Sequence, residues 1–167
     1  MINEKVIFFI YNVWEWEEVG RTVMELLIGK YAHTIDDKSR LTIPSKIRNK
    51  MGESVYISKG FEGCLEVRTP EEFSKYTQNI LNYKSTDPRS RMVSRQIFAN
   101  SELMEIDKAG RIRISSEQIK IAGLNKDVYV IGVVDHWEIW DREKYDQYEN
   151  NTDANFETAA AELGKDY

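Results

Sequence analysis

An internal repeat constrains the fold of this chain more than any other feature. The pattern Ile-Asp, three residues, Arg, then apolar-polar-Ile occurs twice, and its aspartates, Asp36 and Asp107, lie 71 positions apart. The likeness continues downstream: Val55-Tyr56-Ile57 is matched by Val128-Tyr129-Val130, and Leu65-Glu66-Val67 is matched by Trp137-Glu138-Ile139. Because self-similarity at a fixed spacing marks a repeated structural unit, the chain is predicted to fold as two copies of one small module.

Both copies predict the same order of elements. An extended segment leads into a tight polar turn. After the turn come a short strand with alternating apolar and polar residues, a short helix and two further strands. The predicted strands are 30–35, 41–43, 54–58 and 64–68 in the first copy and 103–106, 112–114, 127–133 and 136–140 in the second. The predicted short helices are 44–51 and 116–122, and Thr69-Pro70 and Asp141 are typical starts of longer helices.

These elements divide the chain into five parts. We expect a first module at 24–76, a helical linker at 77–100, a second module at 101–148 and an acidic C-terminal tail at 149–167. Residues 1–23 precede the repeat and leave two alternatives open. They are an extension of the native protein, or a stretch translated from a start codon set upstream of Met24.

Composition restricts the class of function. The chain is 41% hydrophobic and 31% charged, as in soluble globular proteins, and no apolar run approaches the roughly 18 residues that a membrane span needs. The single cysteine, Cys64, cannot form an internal disulfide, so we expect a cytoplasmic protein. Cys64, His33 and His136 show no spacing typical of a nucleophile or a metal site. We therefore expect no enzyme, cofactor, metal site, membrane contact or small-molecule substrate.

Charge is unevenly distributed along the chain. The net charge is −5, but residues 30–50 carry six cations against two anions, whereas residues 141–167 carry three cations against eight anions. A basic face and an acidic tail therefore coexist in one chain, and a basic face is what binding to phosphate requires.

The repeated turn has a mechanical logic. An aspartate at the start of a turn accepts hydrogen bonds from backbone N–H groups two or three residues on, and Gly110 permits a positive φ. Ser39 stands at the matching position of the first copy, where φ is either ordinary or mildly strained. The arginine of each turn, Arg40 or Arg111, is expected either to contact a ligand, to pair with the aspartate of its own turn, or to do both.

Several motifs in order resemble one family. They are Gly29-Lys30-Tyr31, Asp36-x-x-x-Arg40-Leu41-x-Ile43-Pro44, Gly60-Phe61-x-Gly63-Cys64-Leu65, Asp107-x-x-Gly110-Arg111, and Ile131-Gly132 followed by Trp137-Glu138-Ile139-Trp140. With these motifs, residues 24–148 resemble the MraZ family of bacterial transcriptional regulators, tandem-repeat relatives of the AbrB DNA-binding module.

This resemblance implies a mainly β, α+β fold, a tandem AbrB/MraZ-like double-split β-barrel with short flanking helices. It also implies a nucleoid-associated homo-oligomer, in the form of a ring, that binds double-stranded DNA at tandem short G-rich repeats in its own promoter, within the division and cell-wall gene cluster.

For individual residues, the resemblance implies DNA contact by Arg40 with Lys38, and by their second-copy equivalents Arg111 and Lys108. The nearby Lys46 and Arg48 suit phosphate, and Asp36, Asp107 and Gly110 are expected to shape the turns. The first loop lies in the more basic segment and is the stronger DNA candidate. The alternative function is an AbrB/MazE-like antitoxin-type module, which the two complete modules and short tail disfavour.

Overall fold

The computed structural model describes residues 27–163, which contain eight strands and six helices. The first copy contributes β1 (Leu27–Thr34), β2 (Arg40–Thr42), α1 (Ser45–Arg48), β3 (Ser54–Lys59), β4 (Leu65–Arg68) and α2 (Pro70–Leu81). After α3 (Pro88–Phe98), the second copy contributes β5 (Glu102–Glu105), β6 (Arg111–Arg113), α4 (Ser116–Ala122), β7 (Asp127–Val134), β8 (His136–Asp141) and α5 (Arg142–Asp153). The last described helix is α6 (Phe156–Leu163).

The strands form two antiparallel sheets in which the copies are interlocked. The six-stranded sheet has the order β1-β7-β8-β4-β3-β5, and β2 pairs with β6 in a separate two-stranded ribbon. The first strand of each copy therefore pairs with a strand of the other copy: β1 with β7, and β5 with β3. Exchanging the two copies gives the same strand order read backwards, so the fold has an approximate two-fold symmetry.

Two pairs of residues mark this pseudo-two-fold axis. Leu41 lies opposite Ile112 in the ribbon, and Glu66 lies opposite Glu138 where β4 meets β8. In each pair the partners are the equivalent residues of the two copies, so the axis passes through both places. The fold is mixed α/β with a mainly antiparallel sheet, and its two copies meet along this axis.

One hydrophobic core serves both copies. Its buried side chains include Leu41, Ile57 and Val67 from the first copy and Ile112 and Trp137 from the second. Fully burying a side chain of this kind contributes about 1.5–3 kcal/mol. Modules this short bury enough surface only by packing on each other, and the shared core does this.

The helix starts at Thr69 and Asp141 are confirmed. The Thr69 hydroxyl accepts from Glu72 N, and the Asp141 carboxylate accepts from Lys144 N. The first short helix, predicted as 44–51, ends earlier, at Arg48. After Arg48 the α-helical hydrogen bonds give way to bonds between residues three apart, from Lys50 N to Ile47 O and from Met51 N to Arg48 O.

The second short helix spans Ser116–Ala122 as predicted, and the remaining boundaries differ by at most three residues, with the largest difference at the start of β1. Leu27 already pairs with Val134, so the ladder with β7 extends β1 beyond the predicted 30–35. The expected tail at 149–167 is helical as far as it is described, in the end of α5 and in α6. Residues 1–23, with their two alternatives, lie outside the described residues. Within 27–163, no helix is long and apolar enough to cross a membrane.

Candidate nucleic-acid interface

The first repeated turn is held closed by its aspartate. Asp36 Oδ1 accepts from the backbone N–H of Lys38 at 2.9 Å and of Arg40 at 3.0 Å. Asp36 Oδ2 accepts from Arg40 Nε at 2.8 Å and lies 2.7 Å from Arg40 Nη2. The ion pair expected as an alternative role of Arg40 is therefore present, and the same carboxylate also fixes the backbone of the loop.

The second turn repeats this geometry. Asp107 Oδ1 accepts from the N–H of Ala109 at 2.9 Å and of Arg111 at 3.0 Å. Asp107 Oδ2 accepts from Arg111 Nε at 2.8 Å and lies 2.7 Å from its Nη2. The two loops are structurally equivalent, although they lie in segments of different charge.

The carboxylates of both turns have a lowered pKa. The hydrogen bond from the Arg40 side chain lowers the pKa of Asp36 to about 2, and the Arg111 side chain likewise lowers the pKa of Asp107. Both ion pairs therefore persist at neutral pH. Each guanidinium carries five N–H groups, and the aspartate engages only its Nε and Nη2. Because the arginines are 31% and 32% exposed, their remaining donors can serve a ligand.

Ser39 adopts the same left-handed backbone as its glycine equivalent. Its φ is 57°, and that of Gly110 is 75°. Of the two alternatives for Ser39, the strained one is therefore observed. A side chain in this region costs about 1–3 kcal/mol, and such strain is concentrated at functional sites.

The two loops are joined directly to each other. Ile43 N donates to Gly110 O at 2.9 Å, and Ile114 N donates to Ser39 O at 2.8 Å. Arg48 crosses from α1 to the second loop, where its Nη1 donates to Ala109 O at 3.3 Å. This contact gives Arg48 a structural role that its sequence position did not predict, whereas Lys46 lies exposed on the same helix.

Arginines are gathered on the outer face of the ribbon formed by β2 and β6. Arg40 lies opposite Arg113, and Thr42 lies opposite Arg111, while the side chains between them, Leu41 and Ile112, are buried. A groove beside the first loop is lined by Asp37, Lys38, Ser39, Arg40 and Arg113. Like charges directly opposite each other destabilise a sheet. Facing arginines therefore indicate a surface suited to a polyanion.

The structure brings together most of the residues predicted to contact DNA and places a further arginine, Arg113, beside them. Lys38, Arg40, Lys108 and Arg111 lie on the paired loops and the ribbon. Arg113 was not predicted. Its signal in the sequence was the alternation Arg111-Ile112-Arg113, which places both arginines on the face opposite the buried isoleucine.

Two other basic residues, Lys30 and Arg89, lie outside the ribbon and its loops. Lys30 pairs with Glu149 at 2.9 Å, and Arg89, on α3, pairs with Asp87 at the start of that helix.

Comparisons with known proteins agree with this architecture. The sequence model of the MraZ protein family, described as antitoxin-like, matches the chain twice, over residues 26–96 and 97–166. A relative from Mesoplasma florum is 50% identical over 136 residues, 81% of this chain and 93% of that protein. Relatives from Mycoplasmoides gallisepticum and Finegoldia magna are 44% and 38% identical over 79% and 81% of this chain, covering 91% and 94% of their own lengths.

All three relatives carry the name "Transcriptional regulator MraZ", which is the name of a regulator and not of an enzyme. Both the twofold match of the family model and the near-complete coverage of the relatives correspond to the two interlocked copies seen in the fold. The chain belongs to the MraZ family.

Proposed function

We propose that this protein is a transcriptional regulator that binds double-stranded DNA through the β2–β6 ribbon and its two flanking loops. One observation carries the proposal: the pairing of two Asp-x-x-x-Arg turns places Arg40, Arg111 and Arg113 on one exposed face. The name shared by the relatives supports the same function.

A two-stranded ribbon suits this role. The major groove of B-DNA admits a two-stranded β-ribbon, and an arginine there can donate two hydrogen bonds to O6 and N7 of guanine. Such a pair is worth about 1–3 kcal/mol of discrimination between bases. In the proposal, Arg40 and Arg111 donate these hydrogen bonds to guanine. The exposed Lys38, Lys46 and Lys108 neutralise phosphates. Arg48 contributes by fixing the second loop.

The finer proposals rest on the family resemblance. We propose that the six-stranded sheet and the ribbon together form a double-split β-barrel, and that the chains assemble into a ring-shaped homo-oligomer in the nucleoid. A ring repeats the arginine-bearing face around its rim, so tandem G-rich boxes about one helical turn, or roughly 10 bp, apart could be engaged together. The proposed site is the protein's own promoter in the division and cell-wall gene cluster.

Footprinting on the DNA upstream of the gene tests the proposal. We expect protection of evenly spaced short repeats, and we expect Arg40→Ala to abolish this protection while the oligomer, measured by light scattering, stays intact. Arg89→Ala is the matched control, because Arg89 is an exposed arginine that also pairs with an aspartate but lies on α3. Unchanged affinity of Arg40→Ala at the same salt concentration would overturn the proposed contact.

A further inference from the structure

A second cluster of charged residues lies on the pseudo-two-fold axis, away from the ribbon. We propose that Glu66, His136 and Glu138 form a binding site for a transition-metal cation, with Zn²⁺ as the ion that fits best. The spacing of these residues in the sequence predicts no metal site, because Glu66 and His136 are 70 positions apart. Pairing of β4 with β8 brings them together.

The distances fit a shared ion. Glu66 lies directly opposite Glu138, and the three potential ligand atoms all lie within 4.8 Å of one another. His136 Nε2 is 3.6 Å from Glu138 Oε1, which is too long for a hydrogen bond. Two ligands of one tetrahedral Zn²⁺ ion, each bound at 2.0–2.2 Å, would be about 3.4 Å apart.

The histidine and one of the glutamates are already oriented by neighbours. Asp135 Oδ1 lies 2.6 Å from His136 Nδ1, so in the neutral ring Nδ1 carries the proton and Nε2 keeps its lone pair. Metal-binding histidines commonly have such a carboxylate on their other ring nitrogen. Trp140 Nε1 donates to Glu138 Oε2 at 2.7 Å, so Oε1 is the oxygen on the histidine side.

The cluster holds an excess of negative charge, of which only the Asp135 carboxylate is largely exposed to water. It contains three carboxylates, of Asp135, Glu66 and Glu138, against one cation, Arg68, which pairs with Glu66. Glu66 and Arg68 are each only 4% exposed. With a neutral histidine the net charge is −2, which a divalent cation would compensate.

Two further buried groups adjoin the cluster. The Cys64 thiol is 1% exposed and forms no disulfide. A Cβ added to Gly60 would contact both Cys64 Sγ and Glu66 Cγ, so the thiol lies close to Glu66. Arg68 Nε is a buried donor without a hydrogen-bond partner among residues 27–163. An unpaired N–H donor needs an acceptor, and a water molecule bound to the ion would supply one.

The donor set selects the ion. One imidazole nitrogen and two carboxylates, with a thiol close by, suit Zn²⁺, whereas Mg²⁺ and Ca²⁺ prefer sites made of oxygen alone. Glu66 belongs to the first copy, and His136 and Glu138 belong to the second. A bound ion would therefore link the two copies at the centre of their common sheet.

Calorimetric titration of the chelator-treated full chain with ZnCl₂ tests the site, with metal content measured by mass spectrometry. We expect one ion per chain and no comparable binding of MgCl₂. Loss of a partner that orients a ligand costs 10–100-fold in affinity, so we expect Asp135→Asn to lose about tenfold or more and His136→Gln to lose more than about 100-fold. His33→Gln, which changes the other histidine of the chain, should bind as the unaltered protein does.

A second readout separates metal binding from misfolding. Zn²⁺ should raise the melting temperature of the unaltered protein and of His33→Gln but not that of His136→Gln. If His136→Gln does not fold, Glu138→Gln, which keeps the size of the side chain, replaces it. Absence of stoichiometric binding, or equal affinity of the ligand variants and His33→Gln, would overturn the proposal.

A protonated His136 is the competing explanation of the cluster. Burial lowers the pKa of His136, but the nearby carboxylates of Glu138 and Asp135 outweigh burial and leave the pKa raised. Bound Zn²⁺ would instead keep the ring neutral. NMR titration that shows the same His136 pKa with and without ZnCl₂ would therefore also overturn the proposal.

Discussion

Leu41 lies directly opposite Ile112 in the ribbon, and these equivalent residues of the two copies are 0% and 1% exposed. The arginines on either side of them face outward. The ribbon is therefore anchored to the core by one pair of side chains on the pseudo-two-fold axis, and the same pair holds the arginine-bearing face in place.

This symmetry predicts equal costs for the two anchors. Leu41→Ala and Ile112→Ala should each lower the free energy of unfolding by about 2–5 kcal/mol, because each leaves a cavity in the core. Urea denaturation measures both. A much smaller loss for one of them would show that the two ribbon strands are not equivalently anchored.

Gly110→Ala is predicted to lower the free energy of unfolding more than Gly52→Ala. Both have a positive φ, 75° and 69°, so an alanine at either position should cost about 1 kcal/mol or more. A Cβ on Gly110 would also fall 2.1 Å from Nη1 of Arg48, whereas a Cβ on Gly52 would meet nothing within 4 Å. Moving Arg48 aside would break its hydrogen bond to Ala109. Urea denaturation should therefore show a larger loss for Gly110→Ala, and equal losses would contradict the contact.

Arg113 is predicted to serve DNA binding at the expense of stability. Because it faces Arg40, Arg113→Ala should leave the free energy of unfolding unchanged or raise it by a few tenths of a kcal/mol, up to about 1 kcal/mol. If Arg113 contacts phosphate, the same change should weaken DNA binding. It should also make the slope of log K against log salt concentration less steep by about one. Gel-shift titrations over a range of salt concentrations measure this effect, with Arg89→Ala as control.

The lowered pKa of Asp36 predicts a pH-dependent contribution to stability. A carboxyl group whose pKa falls on folding stabilises the folded state fully above its unfolded pKa, about 3.9, and loses this effect as the pH drops through its folded pKa. With a folded pKa of about 2, the stability difference between the unaltered protein and Asp36→Asn should be constant near neutral pH and should shrink between about pH 4 and pH 2. A difference that persists unchanged at pH 2 would contradict the ion pair with Arg40.

The repeat made the order of the elements predictable but not their pairing. Two similar copies can lie side by side or exchange strands, and only hydrophobic packing in three dimensions selects β1 beside β7. The turn chemistry of Asp36 and Asp107 was predictable because it is local. The left-handed backbone of Ser39 was one of two alternatives, and the contact of Ile114 N with Ser39 O, which joins the loops, is not local.

In the candidate site, too, some features could be predicted from the local sequence and others require the strand pairing. Arg40 and Arg111 could be found from their motif, whereas the placement of Arg113 opposite Arg40 requires the register of the ribbon. The cluster of Glu66 and His136 depends on the pairing of β4 with β8, and no spacing in the sequence predicts it.

The exchange of first strands also affects how the chain reaches its native state. Leu27 pairs with Val134, which the ribosome adds 107 residues later. Contacts of such long range slow folding, because the closure of a long loop must precede the gain from pairing. During synthesis, β1 therefore has to wait for β7 before it can pair. A fragment truncated after α3 would lack this partner, and we expect it to be captured by chaperones or to pair with another chain.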